Sequence, residues 1–397
     1  MPRAALTFNS GETLNFISFP TPIESAFRRT SMFIQKTQLS IPKLLKIILL
    51  VVVLIPTLYS FTRSPSILYR QPSTCGPAVS EIPNIVHFVH ILPPELVSNG
   101  NIQFEFRHFL SIYSAHFYLN PERIYIHTNA ESDQLSALER SPLIWTRIIS
   151  NLPTVVFNYE TAPNRTSAGL DVTLLPNQSD FVRTRVMKKW GGIYMDEDVY
   201  LLKDLASLRR TGFQNVVGRQ SGGDICCALF LSTPENDMIT AYHALQDRAF
   251  DGSWATHAIG LLTRLAVEFS GRDENVLVLE QDAFFPFGWG GSELAELYQV
   301  HDVDDVEEVI EWTDTGSLDL TTFIKSWRWQ SQTWRRDFHI GYALYGWNSG
   351  LRDDRIFFGD FGGITLEYVL ARSSNFARAL YPVVKHALDN GIIGQVS

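Results

Sequence analysis

The feature that most constrains the fold is an alternation, from residue 82 onward, of short β-branched runs with longer stretches of helical period. The run Ile85-Val86-His87-Phe88-Val89-His90 is followed by a helical pattern over 104–118 and then by Arg123-Ile124-Tyr125-Ile126-His127. Val155-Val156-Phe157-Asn158-Tyr159 reads as a further strand, and 180–190 as a helix closed by Gly191-Gly192. Ile193-Tyr194-Met195 then re-enters the sheet and delivers Asp196-Glu197-Asp198 at its far end. Asn215-Val216-Val217-Gly218 and Ala228-Leu229-Phe230-Leu231 continue as strands, with helical patterns over 236–249 and 260–269. Strands spaced by helices predict an α/β domain with a mainly parallel sheet, because parallel neighbours need a crossover that a helix supplies. Ligands of open α/β sheets sit beyond the carboxyl ends of the strands, so the acidic triplet stands where a site is expected.

Two carboxylates one residue apart at a strand end can reach a hard divalent cation and a ribose together. Such a cation neutralises a diphosphate leaving group as a sugar–phosphate bond breaks. A bare Asp-x-Asp arises easily by chance, and Asp302-Val303-Asp304 is read as such a case. The first triplet differs in its surroundings: Ser179-Asp180-Phe181-Val182-Arg183, then Trp190-Gly191-Gly192-Ile193-Tyr194-Met195-Asp196-Glu197-Asp198-Val199, then Leu202-Lys203-Asp204-Leu205. This string resembles glycosyltransferase family 32, whose shared pattern is S-D-x-x-R, a G-G-I-Y-x-D-x-D centre and L-K-x-L. Ile82-Pro83-Asn84-Ile85-Val86-His87 is similar to the family's opening strand, and Leu261-Leu262-Thr263-Arg264 to its L-x-T helix. Val276-Leu277-Val278-Leu279 with Ala283-Phe284-Phe285-Pro286, and the segment from Tyr342 to Ser349, extend the likeness toward the α-1,4-glycosyltransferase branch.

The resemblance implies a GT-A fold, Rossmann-like, in a single catalytic domain, with Mn²⁺ or Mg²⁺ as cofactor and a UDP- or GDP-hexose as donor. It further implies transfer with retention of configuration to a glycan, glycoprotein or glycolipid acceptor. Carried over position by position, Asp198 ligates the metal, while Asp196 contacts the ribose or donor sugar and reaches the metal. Asp180 and Arg183 hold the donor sugar, and Arg183 also stabilises developing negative charge. Read from the residues alone, Asp180 and Arg183 share a helix face and are satisfied equally well as an ion pair. Gly191 and Gly192 are read as a helix cap and as room for the donor. His87 and His90 alternate along a strand and read as buried, satisfied histidines. Three positions depart from the pattern: Tyr345 replaces a histidine that resembles a metal or phosphate ligand, Ala258-Ile259 replace Gly-Pro, and Thr184 replaces Tyr. His339 is a candidate substitute for the missing imidazole. These departures support a rival reading, a lumenal protein that binds nucleotide-sugar or glycan with turnover impaired. A metal-dependent hydrolase is a third reading, since donor hydrolysis differs from transfer only in the acceptor being water.

Residues 44–61 carry one charge, Lys46, and suffice to cross a bilayer as a helix. Arg3, Arg28, Arg29, Lys36, Lys43 and Lys46, against Glu12 and Glu24 alone, keep the N-terminus cytosolic and the remainder lumenal. No A-x-A site follows the run, which favours a signal anchor over a cleaved peptide. The expected organisation is a cytosolic tail over 1–43, the anchor over 44–61, a stem over 62–80 and a lumenal catalytic domain over 81–397, as in a single-pass type II Golgi membrane enzyme. The sequons at Asn164 and Asn177 are consistent with a lumenal domain. A net charge of −9 argues against nucleic acid as a partner. Cys75, Cys226 and Cys227 are too few for a disulfide framework or a closed zinc site. The acidic stretch 302–311 and the tryptophans Trp327, Trp329 and Trp334 read either as an acceptor surface or as a solvated helix face and ordinary packing.

Overall fold

The computed structural model describes residues 81–99, 102–272, 275–302, 334–347 and 355–394. The tail, the apolar run 44–61, the stem, Cys75, the acidic stretch beyond Asp302 and the tryptophans Trp327 and Trp329 lie outside them. Among the described residues no helix is long and apolar enough to cross a membrane.

The strands are β1 (Ile85–His90), β2 (Arg123–Thr128), β3 (Val155–Tyr159), β4 (Gly192–Met195), β5 (Val199–Leu201), β6 (Asn215–Arg219), β7 (Ile225–Ser232), β8 (Val276–Leu279) and β9 (Ala343–Tyr345). Seven form one sheet in the order β3-β2-β1-β4-β7-β6-β8, and β5 pairs with β9 in a small second sheet. β1 runs parallel to β2 and β4, β2 to β3, and β6 to β8. β7 breaks the expected parallel pattern by running antiparallel to both β4 and β6. The reason is local: Gly222 and Gly223, each at φ +92°, fold the chain back between β6 and β7, where the parallel pairs have helical crossovers.

Both faces of the sheet are covered. Ile193 and Met195 of β4 pack with Phe109 and Leu110 of helix α1 (Phe106–Leu119), on the side that also holds Val383 and Val384. Tyr194, pointing the other way, joins Val182, Val186 and Met187 of helix α2 (Leu175–Trp190), Met238 and Tyr242 of helix α3 (Asp237–Ala249) and Leu262 of helix α4 (Leu261–Ser270). β7 places Cys226, Ala228, Leu229 and Leu231 on the first side and Cys227 and Phe230 on the second, the alternation breaking at Ala228-Leu229 where its register with β6 shifts. Burial on both faces explains why these strands read as continuous apolar runs. Helices α5 (Gly291–Tyr298), α6 (Leu366–Ala371) and α7 (Asn375–Asp389) complete the first side. Ser374 caps α7 by accepting from the Ala377 N–H, and Phe376, Leu380, Val383, Val384 and Ala387 form its buried stripe.

Asn177 corrects the sequon reading. It lies in the first turns of α2 and is 2% exposed, so the folded chain offers no glycan acceptor there. Asn164 is exposed on a loop. Cys226 and Cys227 are buried and free, as expected of adjacent cysteines.

Candidate active site

The site is built by a reversal of the chain. From Trp190 back to Asp180 the helix spans about 15 Å, and from Gly192 forward to Asp196 the strand spans about 13 Å, so the two acids return to the same level. Asp196-Glu197-Asp198 then forms a tight turn, in which the Val199 N–H donates to the Asp196 carbonyl at 3.0 Å. Three neighbours fix that turn. The Asp196 N–H donates to the Ala228 carbonyl of β7 at 2.8 Å, and the Gly346 N–H to the Asp198 carbonyl at 2.7 Å. From α1, the Ser111 hydroxyl donates to the Val199 carbonyl at 2.6 Å, while Ser114 Oγ accepts from the Leu201 N–H.

Arg183 joins the predicted residues into one network. Its Nη2 lies 2.9 Å from Asp196 Oδ1 and 3.2 Å from Asp180 Oδ1. Nη1 donates to the Cys227 carbonyl at 2.9 Å, and the guanidinium stacks on the Tyr194 ring, 4.5 Å from its centre. The Tyr194 hydroxyl donates to Asp196 Oδ1 at 2.6 Å. Arg183 is only 4% exposed, so its charge depends on these partners; burial opposes it, and Asp196 first among the neighbours more than offsets that. Burial raises the Asp196 carboxyl above its usual value, with Arg183 and Tyr194 pulling the other way. Its side chain, 21% exposed, is the outlet of this network to solvent. Asp198 is half-buried one step further along the turn. The helix-face ion pair of Asp180 with Arg183 is therefore present, but as the buried half of a three-residue cluster.

Of their two expected roles, Gly191 and Gly192 have the geometry of the structural one. Both have positive φ, +62° and +102°, and both are buried at the opposite end of β4 from Asp196. A Cβ on Gly192 would meet the Ile85 carbonyl oxygen at 2.4 Å, and one on Gly191 the Pro234 ring at 2.6 Å and the Ser232 carbonyl at 2.7 Å. These glycines exist for close backbone approach where α2 turns into the sheet. His87 is buried as expected: its Nε2 bonds to the Gly191 carbonyl at 2.8 Å and its Nδ1 to His127, and burial holds its pKa down at about 4. Glu197, between the two aspartates, turns back to His90 Nδ1 at 2.8 Å. Burial raises its pKa, and His90 more than offsets this, leaving Glu197 ionised as an internal partner of β1.

Two further side chains, Tyr194 and His257, belong to the site beyond those expected from the sequence. Tyr194 was legible, because alternation along a strand places residues 194 and 196 on one face. His257 sits in no pattern; it is buried in a single π-helical turn, Thr256–Gly260. Its Nε2 lies 3.0 Å from Asp180 Oδ2 without hydrogen-bond alignment, and both ring nitrogens lack a hydrogen-bond partner among the described residues.

Tyr345 lies where the resemblance requires its histidine, opposite Val199 in the β5–β9 pair and beside Asp198. Burial pushes its hydroxyl well above the usual phenol range, and Asp198 and Asp196 push it further, so it stands as a neutral phenol. His339 is exposed and bonded to Asp337 Oδ2 at 2.7 Å, an arrangement that gives no support to its standing in for the missing imidazole. Among the described residues no group of three His, Cys, Asp or Glu side chains encloses a metal site. An acidic turn of this composition fits a hard cation shared between one or two carboxylates and the phosphates of a substrate, rather than a closed protein cage.

An α/β sheet that delivers two aspartates on a turn, backed by a buried arginine, is found here in a chain that is similar to known glycosyltransferases. Residues 107–220, less than half of the chain, match the family model described as the glycosyltransferase sugar-binding region containing DXD motif, so this stretch is similar to that region of glycosyltransferases. Among curated proteins it is similar to glucan organizing enzyme 1 of Cryptococcus neoformans var. grubii, 25% identical over 228 residues, which cover 55% of this chain and 58% of that protein. Solved structures similar to it include the PaToxG glycosyltransferase, at 18% identity and TM-score 0.33 over 48% of this chain and 72% of that one. Another is the glycosyltransferase GlyE of Streptococcus pneumoniae TIGR4, at 8% identity and TM-score 0.37 over 78% and 64%.

Proposed function

We propose that the protein is a GT-A glycosyltransferase that moves a hexose from a UDP- or GDP-sugar to a glycan, glycoprotein or glycolipid acceptor with retention of configuration. The observation that carries this reading is the buried Arg183, held between Asp180 and Asp196 at the end of β4 with Asp198 next on the turn. A Mn²⁺ or Mg²⁺ held by Asp198, with Asp196 beside it, would offset the charge of the departing diphosphate. Arg183 and Tyr194 fix the Asp196 carboxylate through Oδ1, which leaves Oδ2 directed by two partners rather than by solvent. Asp180 and Arg183 lie behind Asp196 and set the floor against which the donor sugar seats. Retention fits departure of the leaving group and attack on one face of the sugar, with no side-chain nucleophile assigned.

The same reading places the protein as a single-pass type II membrane protein of the Golgi, anchored by residues 44–61 with the described domain lumenal. Product analysis after incubation with UDP- and GDP-hexoses, Mn²⁺ and a mixed glycan acceptor pool tests the activity. A new glycosidic product supports transfer, free hexose alone supports a hydrolase, and donor binding without reaction supports the impaired binding protein that Tyr345 suggests.

A further inference from the structure

Beside the acidic turn stands a set of aromatic side chains to which the reaction just described gives no part. The Gly346 N–H is held by the Asp198 carbonyl at 2.7 Å, and the Gly346 carbonyl accepts from the Tyr298 hydroxyl at 2.6 Å. The next residue, Trp347, is thereby pinned within one peptide of Asp198, in a left-handed backbone conformation at φ +49° that a tryptophan rarely adopts. Its indole N–H donates to the Phe287 carbonyl at 2.9 Å, which fixes the plane of the ring. The ring packs 4.0 Å from Tyr345 and meets Trp289 edge-on at 5.4 Å and 66°.

Trp289 is 55% exposed, and its loop is shaped to present it. Gly288 donates its N–H to Glu293 Oε1 at 2.8 Å, and a Cβ there would meet Glu293 Oε2 at 2.5 Å and Ser221 Cβ at 2.9 Å. On the other side the Gly290 carbonyl accepts from the Glu293 and Leu294 N–H groups at 3.0 and 2.9 Å, so the loop is held down on both sides of one outward-facing indole. Resting on the glycosyltransferase reading, we propose that Trp289 and Trp347 form the acceptor subsite, a platform on which the apolar face of a pyranose ring of the acceptor glycan stacks beside Asp198. In doubly wound folds a βαβαβ half takes the nucleotide, which here means the parallel β1-β2-β3 side. Trp347 follows β9 and Trp289 stands in the loop ahead of α5, so neither indole belongs to that half and both are left to the acceptor. Rigid aromatic side chains suit this task because little conformational freedom is lost on contact.

The test is saturation-transfer NMR on the purified full chain, without donor, using maltose, cellobiose, lactose, laminaribiose and mannobiose, with UDP and GDP measured in parallel. At least one disaccharide should bind the wild type, bind roughly tenfold more weakly to Trp289→Ala, the scale of one lost aromatic contact, and recover in Trp289→Phe. UDP and GDP should bind all three forms alike. The inference is overturned if no disaccharide binds the wild type at millimolar concentration, if Trp289→Ala binds it as the wild type does, or if that variant loses nucleotide affinity, which would make the indoles a base platform. Because no donor is present, a negative saccharide result leaves the transferase reading to stand or fall on nucleotide release.

Discussion

Replacing Arg183 with methionine removes the guanidinium that bridges Asp180 and Asp196, at 3.2 and 2.9 Å, and takes the Nη1 donor away from the Cys227 carbonyl. Methionine fills similar space on the Tyr194 ring, so the loss isolates charge rather than volume. Breaking one side of a buried ion pair costs about 3–5 kcal/mol, and that is the expected deficit in unfolding free energy near neutral pH. The deficit should depend on pH. Burial already raises the Asp196 carboxyl and Arg183 opposes the rise, so its removal lets the carboxyl rise further. A carboxyl whose folded pKa lies above its unfolded value binds its proton more tightly when folded. Stability is then fully present below the unfolded pKa and lost as pH rises through the folded one. Urea unfolding of wild type and Arg183→Met in EDTA should therefore give a smaller difference at pH 5 than at pH 8, each unit inside the window contributing about 1.4 kcal/mol. A deficit below about 1 kcal/mol, or one equal at both pH values, would show that the guanidinium is solvated and that the cluster does not hold Asp196.

Gly192→Ala should destabilise the fold by about 3 kcal/mol or more, from positive-φ strain plus the 2.4 Å approach to Ile85; donor affinity lost in a variant with wild-type urea stability would restore the donor role of this glycine. If the domain is lumenal, a deglycosylation shift on gels should disappear in Asn164→Gln and persist in Asn177→Gln, because only the first asparagine is exposed; the reverse pattern would contradict the placement of α2. Tyr345→His should tighten Mn²⁺ binding by an imidazole beside Asp198, whereas His339→Ala should leave it as in wild type; isothermal titration of both variants decides, and no change in the first removes residue 345 from the metal's surroundings.

Much of this arrangement was legible because local pattern and tertiary outcome agree. The runs at 85–90, 155–159 and 276–279 became strands with those bounds, and 236–249 became a helix whose cap is Asn236. The acidic triplet fell beyond the end of β4 as the sheet rule requires. What escaped depended on non-local contacts. The antiparallel β7 follows from a hairpin between runs that look alike in either direction, and Asn177 reads as an ordinary sequon until α2 buries it. Gly191-Gly192 carry the same letters for a donor cradle and for a close backbone crossing, and only the distances to Ile85, Ser232 and Pro234 separate them. His257 approaches Asp180 across 77 residues of chain. Helix α7 was within reach, since Phe376, Leu380, Val383, Val384 and Ala387 repeat at helical spacing after the Ser374 cap.

The most direct test of the account is nucleotide release from UDP- and GDP-hexoses with Mn²⁺, compared between the wild type and Asp198→Ala. Release from at least one donor by the wild type is expected, with a fall of about a hundredfold or more in the variant, the scale of losing a positioned charge partner of the leaving group. Equal release by both proteins would contradict it, because the turn that ends β4 would then not be where the donor reacts.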